Sequence, residues 1–259
     1  MIKKLLFAGS LVAGSLSAIA QETSKEFITD RPDATESPRL VPHKSFQVET
    51  GFLYENYGEK ELRLNNYTYS TTLLRYGLLE NLELRLGADL FQSQPGRSSA
   101  VAEISTGFSP LLAGVKIGVA EENGWLPEIG FLGHLYLPFS VSEEYRPEST
   151  GVDFRFAFSN NLSDRSALSY NLGAAWAGAQ PAAVYLYTVS YSYSLTSGLG
   201  AYAELYGEIP EAGMAAHFCD AGLTYAIQDN LQLDALAGFG INNEQNLMLG
   251  AGLSFRLPN

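Results

Sequence analysis

From Phe46 to the C-terminus, apolar and polar residues alternate with a period close to two, segment after segment. That period belongs to strands whose two faces meet different surroundings, and it excludes amphipathic helices. Twelve segments carry it. In the third, Leu82, Leu84, Leu86, Ala88 and Leu90 oppose Glu83, Arg85, Gly87 and Asp89. In the eighth, Tyr185, Tyr187, Val189, Tyr191 and Tyr193 oppose Thr188, Ser190 and Ser192. The first strand places Phe46, Val48, Thr50, Phe52 and Tyr54 opposite Gln47, Glu49, Gly51 and Glu55, and the last ends in Leu253, Phe255 and Leu257 opposite Ser254 and Arg256. In the second, Tyr67 to Leu78, the parity shifts near Leu73 and Leu74, the mark of a bulge.

The connections alternate in length. Glu80-Asn81, Glu121 to Gly124, Asn160 to Ser163, Thr196 to Gly198 and Gln228 to Asn230 are short and turn-like, whereas Gln92 to Thr106 and Ser140 to Thr150 are long. An even strand count with this alternation predicts an all-β fold, a transmembrane antiparallel up-and-down barrel with short periplasmic turns, longer outer loops and periplasmic termini. Closure pairs every strand edge. The aromatic residues near strand ends, Trp125, Phe139, Phe158, Trp176, Tyr193, Tyr225 and Phe255, would lie at the membrane interfaces, with ordinary sheet packing as the alternative. A soluble β-sandwich or lipocalin-like barrel competes, because its apolar faces can turn toward each other.

Lys3 and Lys4, the apolar stretch Leu5 to Ser17 and the small-residue site Ala18-Ile19-Ala20 read as an export signal over residues 1–20, with a short membrane anchor as the alternative. No later run of about 18 apolar residues offers a spanning helix. Cys219 is the only cysteine, which leaves neither a disulfide framework nor a lipid-modified N-terminus. Without Lys3 and Lys4, 14 of the 16 basic residues face 28 acidic ones, so nucleic acid is a poor partner. Residues 21–45 are polar, carry Pro32, Pro38 and Pro42, and read as an irregular periplasmic segment ahead of a barrel at 46–259.

Little here suits an enzyme or a cofactor. G-x-S-x-G, H-E-x-x-H and phosphate-loop patterns are missing, and His43, His134 and His217 are too scattered for a metal cluster, the weak pair His217 and Cys219 included. The informative residues are the charges that the alternation points inward: Glu83, Arg85, Asp89, Lys116, Glu128, Asp153, Arg155, Glu204, Asp220, Asp234 and Arg256, with His134 among them. Charges do not sit in hydrocarbon cheaply, so the inner face is either filled by mutual salt bridges or wet and able to sort small solutes.

Thr29-Asp30-Arg31-Pro32-Asp33-Ala34-Thr35-Glu36-Ser37-Pro38, then Val41-Pro42 and Phe46 to Phe52, resembles the opening of the transporter family named for the MetA pathway of phenol degradation. Leu73 to Leu78 with Glu83 to Leu86, and Gly114-Val115-Lys116 with Leu135 to Pro138, are similar to its next blocks; beyond Gly151 the similarity is diffuse. The resemblance implies an outer-membrane barrel that transports small, hydrophobic or aromatic molecules, in contact with outer-membrane lipid. A non-conducting structural barrel and a soluble secreted binding protein are the alternatives. Asp30, Arg31, Pro32 and Asp33 form a charged, proline-stiffened block just ahead of the first strand. It is expected either to fold back as a plug, with Arg31 meeting inward carboxylates, or to remain a disordered leader.

Overall fold

The computed structural model describes residues 26–59, 63–95, 104–138, 146–177 and 182–257. Its elements are all strands: β1 (Phe46–Tyr57), β2 (Leu64–Leu79), β3 (Leu82–Pro95), β4 (Ser105–Phe108), β5 (Leu111–Ala120), β6 (Glu128–Leu137), β7 (Gly151–Ser163), β8 (Ser166–Trp176), β9 (Val184–Ser194), β10 (Leu199–Pro210), β11 (Ala216–Gln228), β12 (Leu231–Gly240) and β13 (Gln245–Leu257). Each pairs antiparallel with its neighbours, and β1 closes on β13 from Phe46↔Leu257 to Tyr57↔Gln245. The β1–β13 and β2–β3 pairings close the sheet into a barrel, the form in which strands satisfy their backbone within a membrane.

The barrel has twelve staves because β4 and β5 share one position beside β3. Between them lie Ser109 and Pro110, and proline has no N–H for the ladder. Ser109 bridges the gap, its N–H donating to the Asp89 carbonyl at 2.8 Å and its Oγ accepting from the Asp89 N–H at 2.9 Å. The first long loop is therefore shorter than its sequence suggests, since β3 runs to Pro95 and β4 begins at Ser105. The third short turn also moves, from Asn160 to Ser163 onto Asp164-Arg165, because β7 continues to Ser163.

The parity shift in β2 has a different origin from the one its sequence suggests. Leu73 and Leu74 pair regularly with Gly87 and Leu86, and the extra residue is Tyr69, between Thr68↔Phe91 and Ser70↔Leu90. A second irregularity falls between Gly77 and Leu79. Leu73, Arg75 and Gly77 consequently share the inner face, while Leu74 and Tyr76 share the outer one.

The alternation sorts as the sequence expects. Leu84, Leu86, Val189, Leu205, Leu223, Leu233 and Leu249 are all exposed on the outside, whereas Glu83, Arg85, Lys116, Asp153, Glu204, Asp220 and Asp234 are buried within. Trp125, in the turn after β5, is 90% exposed; Tyr193 and Tyr225 stand exposed near the same short-turn end, with the Arg165 guanidinium 4.9 Å over the Tyr193 ring. Phe139 and the export signal lie outside the described residues. An outer face in acyl chains predicts that Leu205→Arg, mid-strand on β10, destabilises the folded barrel by roughly 2–4 kcal/mol, measured by urea unfolding in lipid vesicles. A water-facing Leu205 would accept the arginine at almost no cost.

Candidate functional site: the lumen and the segment inside it

Residues 26–42 form no regular element but lie inside the barrel, in the half that carries the short turns. The chain enters at Glu26, rises to Asp30, turns through Asp33 to Glu36 and descends through Pro38 to Pro42, then joins β1. The Ser37 N–H donates to Asp30 Oδ1 at 3.0 Å and ties the two limbs together. Three prolines and no apolar period keep this stretch out of the sheet, and its backbone polar groups find partners on the wall instead.

Asp30 is the hub. Its carboxylate accepts from Lys116 Nζ at 2.7 and 2.9 Å and Arg85 Nη1 at 2.8 Å, and it lies 3.0 Å from Arg75 Nη1. Its N–H donates to Glu49 at 3.0 Å. Arg75 also meets Glu49 at 2.8 Å and Glu83 at 2.8 and 2.9 Å, and Glu83 also accepts from the Val41 N–H at 2.8 Å. Burial alone would raise the Asp30 pKa, but Arg75, Lys116 and Arg85 outweigh it and hold the carboxyl well below its ordinary value. Glu36 completes the cluster with Arg85 Nη2 at 2.8 and 3.1 Å.

The opposite limb meets the far wall. Arg31 donates to Asp234 at 3.0 and 3.2 Å and to Thr71 at 2.8 Å. Its guanidinium lies against Gly51 and Gly252, which face each other across β1 and β13, and a side chain at either position would overlap it. The Ala34 N–H donates to Glu204 at 2.8 Å, Thr35 bonds both Glu204 and Thr188, and Asn171 brackets Glu36 through its N–H at 2.7 Å and its carbonyl at 2.8 Å. Asp33 points into a different environment: burial, then the charges of Glu204 and Asp220, push its carboxyl well above the usual range. Glu204 and Asp220 stand directly opposite each other across β10 and β11.

The inward residues expected from the alternation fall into several groups. Glu83, Arg85 and Lys116 join Asp30. His134 and Asp153 make a buried pair, Nδ1 to Oδ1 at 2.8 Å, with Tyr136 OH donating to Asp153 at 3.0 Å and Arg155 3.6 Å away. Glu128 pairs with Arg39 at 2.9 Å near the short-turn rim, where Arg256 reaches the Glu26 carbonyl at 3.3 Å and covers Phe27. Asp89 sits higher in the lumen and accepts from the Thr72 N–H at 3.3 Å. The expectation omitted Arg75, Glu49 and Glu36 from the set. The outward pair Leu74 and Tyr76 places Arg75 on the inner face, a signal already present in the sequence.

A sequence model of the family described as "Putative MetA-pathway of phenol degradation" matches residues 29–257. The chain belongs to that family. The match begins at the luminal segment and runs to the last strand, well beyond Gly151. Among solved structures, this member of the family is similar to an outer membrane channel from Pseudomonas putida F1, at 16% identity and a TM-score of 0.66, over 87% of this chain and 99% of that one. It is also similar to the NanC porin, at 11% identity and 0.52, over 82% and 100%, and to the KdgM porin, at 11% and 0.50, over 80% and 98%. At these identities the likeness is one of fold. No curated protein matches the sequence.

Proposed function

We propose that this protein is a passive outer-membrane channel for small molecules of hydrophobic or aromatic character, with no catalytic residue, and that residues 26–42 act as its plug. The observation that carries the reading is the contrast between two faces of one closed sheet. The outside is apolar around the circumference. The inside is charged, and on its short-turn half those charges are satisfied by a segment that precedes the first strand and is no part of the sheet. A wall built only for stability has no need of a separable filler, whereas a gated pore does. The inward charges Glu83, Arg85, Lys116, Glu204 and Asp234 then serve as plug sockets, and Asp89, His134, Asp153 and Arg155 as lining above them.

The density of buried ion pairs around Asp30 and Arg75 favours a second reading, a lumen closed for good and a barrel that is purely structural. Planar-bilayer recording separates the two: ion conductance and passage of small solutes in liposome swelling support the channel, and silence at every voltage supports the structural barrel.

The two aspartates give the plug opposite pH limits. A carboxyl held below its ordinary value, as in Asp30, contributes attachment that is present above that value and lost as pH falls through the lowered one. A carboxyl held above it, as in Asp33, is bound neutral, so attachment weakens as pH rises from the ordinary value of 3.8 through the raised one. The channel is therefore expected to open more often as pH rises through the raised value of Asp33. Asp33→Asn flattens that rise in open probability, and an unchanged pH profile in this variant contradicts the assignment.

A further inference from the structure

Directly above the plug, two neighbouring rows of inward residues cross β2, β3, β5 and β6. The lower row reads Arg75, Arg85, Gly114, His134, and the upper row, one step toward the loops, reads Leu73, Gly87, Leu112, Tyr136. The glycine at 87 leaves a hollow between the two leucines. A cavity of about 350 Å³ opens there, with Leu73, Leu112, Pro110 and Tyr136 as its apolar lining and Arg85, Arg31, Glu36, Asp30, Glu49 and Asp89 as its charged lining. That volume lies within the range of small-molecule sites, about 300–1,000 Å³. Arg85 is a built feature of the charged lining: its side chain is 1% exposed, and its Nε has no hydrogen-bond partner. Glu36 is the exception in this otherwise sealed cluster. Its side chain is 18% exposed, its carboxylate lies against Arg85 Nη2 and 3.8 Å from Lys116 Nζ, and it is delivered by the plug rather than by the wall.

We propose that Arg85 and the leucine-tyrosine hollow, with the Lys116 charge buried behind them, form a binding site for a small monocarboxylate with an apolar body, and that Glu36 occupies the carboxylate position when no solute is bound. This rests on the channel reading and names a solute class for it. The chemistry follows from charge conservation. Asp30, Glu49 and Glu83 balance Arg75, Arg85 and Lys116, and Glu36 is the additional negative charge. A solute carboxylate that displaces Glu36 leaves the buried charge unchanged, whereas a neutral solute of the same shape leaves Arg85 without its second partner. The apolar body meets the upper row at the same moment. Displacement also removes one tether of the plug, so solute arrival and plug loosening become one event.

The test is calorimetric titration of the purified full-length protein in detergent with benzoate and with benzamide, its neutral isostere, alongside Glu36→Gln and Arg85→Gln. The site predicts that wild type binds benzoate at least tenfold more tightly than benzamide, that Glu36→Gln strengthens benzoate binding about tenfold by removing the internal competitor, and that Arg85→Gln erases the difference between the ligands. Equal binding of the two ligands by wild type and by Glu36→Gln overturns the proposal, and this comparison stands even if Arg85→Gln does not fold. Bilayer recording of the same samples keeps the readings apart. Benzoate selectivity without conductance upholds the site and refutes the channel; conductance without benzoate selectivity does the reverse.

Discussion

Deletion of residues 22–40 opens the barrel: single-channel conductance in planar bilayers rises several-fold over wild type, and the pH dependence through Asp33 disappears. The effect is large because the plug does more than narrow the lumen. Arg31, Ala34, Thr35, Glu36 and Arg39 tie it to β2, β3, β6, β8, β9, β10 and β12, so it fills the short-turn half from several sides. Removal also strips Asp30 and Glu36 from Arg75, Arg85 and Lys116, and Arg31 from Asp234, so the walls lose partners of both signs. Unchanged conductance removes the plug from the account and leaves the rest of the barrel standing.

Replacement of Arg75 by Met produces the largest loss of stability of any single wall substitution proposed here. Arg75 is 1% exposed and holds Glu49, Glu83 and Asp30 at once. Buried ion pairs are poor evidence of net stabilisation, since desolvation offsets much of their attraction, yet removal of one partner leaves the others charged and dry, at about 3–5 kcal/mol. Three carboxylates would then crowd around Arg85 and Lys116 alone. Arg39→Met provides the contrast: that guanidinium is 34% exposed, and its pairs with Glu26 and Glu128 are worth within about 1 kcal/mol. Unfolding in urea, followed by the gel-mobility difference between folded and boiled samples, measures both. Similar midpoints for the two variants contradict the assignment of Arg75 as the centre of the network.

The barrel was legible because period two survives in every stave: a strand with lipid on one side and charge on the other writes both in its sequence, as Leu82 to Leu90 does. Inward carboxylates at 83, 153, 204, 220 and 234 follow from the same rule. Errors arise where local geometry breaks the period. Tyr69 adds one residue to β2, and without an extra residue the outward parity of Tyr67, carried down the strand, would turn Arg75 outward as well. Ser105–Phe108 hides as strand because Pro110 severs it from β5 and four residues are too few to show a pattern. The luminal segment was legible only as a possibility. Asp30, Arg31 and Glu36 show charge without showing partners, since their partners on the wall lie 19 to 203 residues away along the chain. Its hairpin owes nothing to periodicity and everything to the sockets the wall provides.

The most direct test of the whole account asks what each face of one strand touches. Nitroxide labels placed singly at 201, 203 and 205 and at 200, 202 and 204 on β10, in a Cys219→Ser background and in lipid vesicles, report collision with oxygen, which concentrates in acyl chains, and with a water-soluble nickel chelate. The account predicts that 201, 203 and 205 relax with oxygen and are shielded from nickel, while 200, 202 and 204 show little oxygen contact. Nickel access at 201, 203 and 205 with oxygen shielding, or no alternation at all, would contradict a sheet whose leucines face lipid.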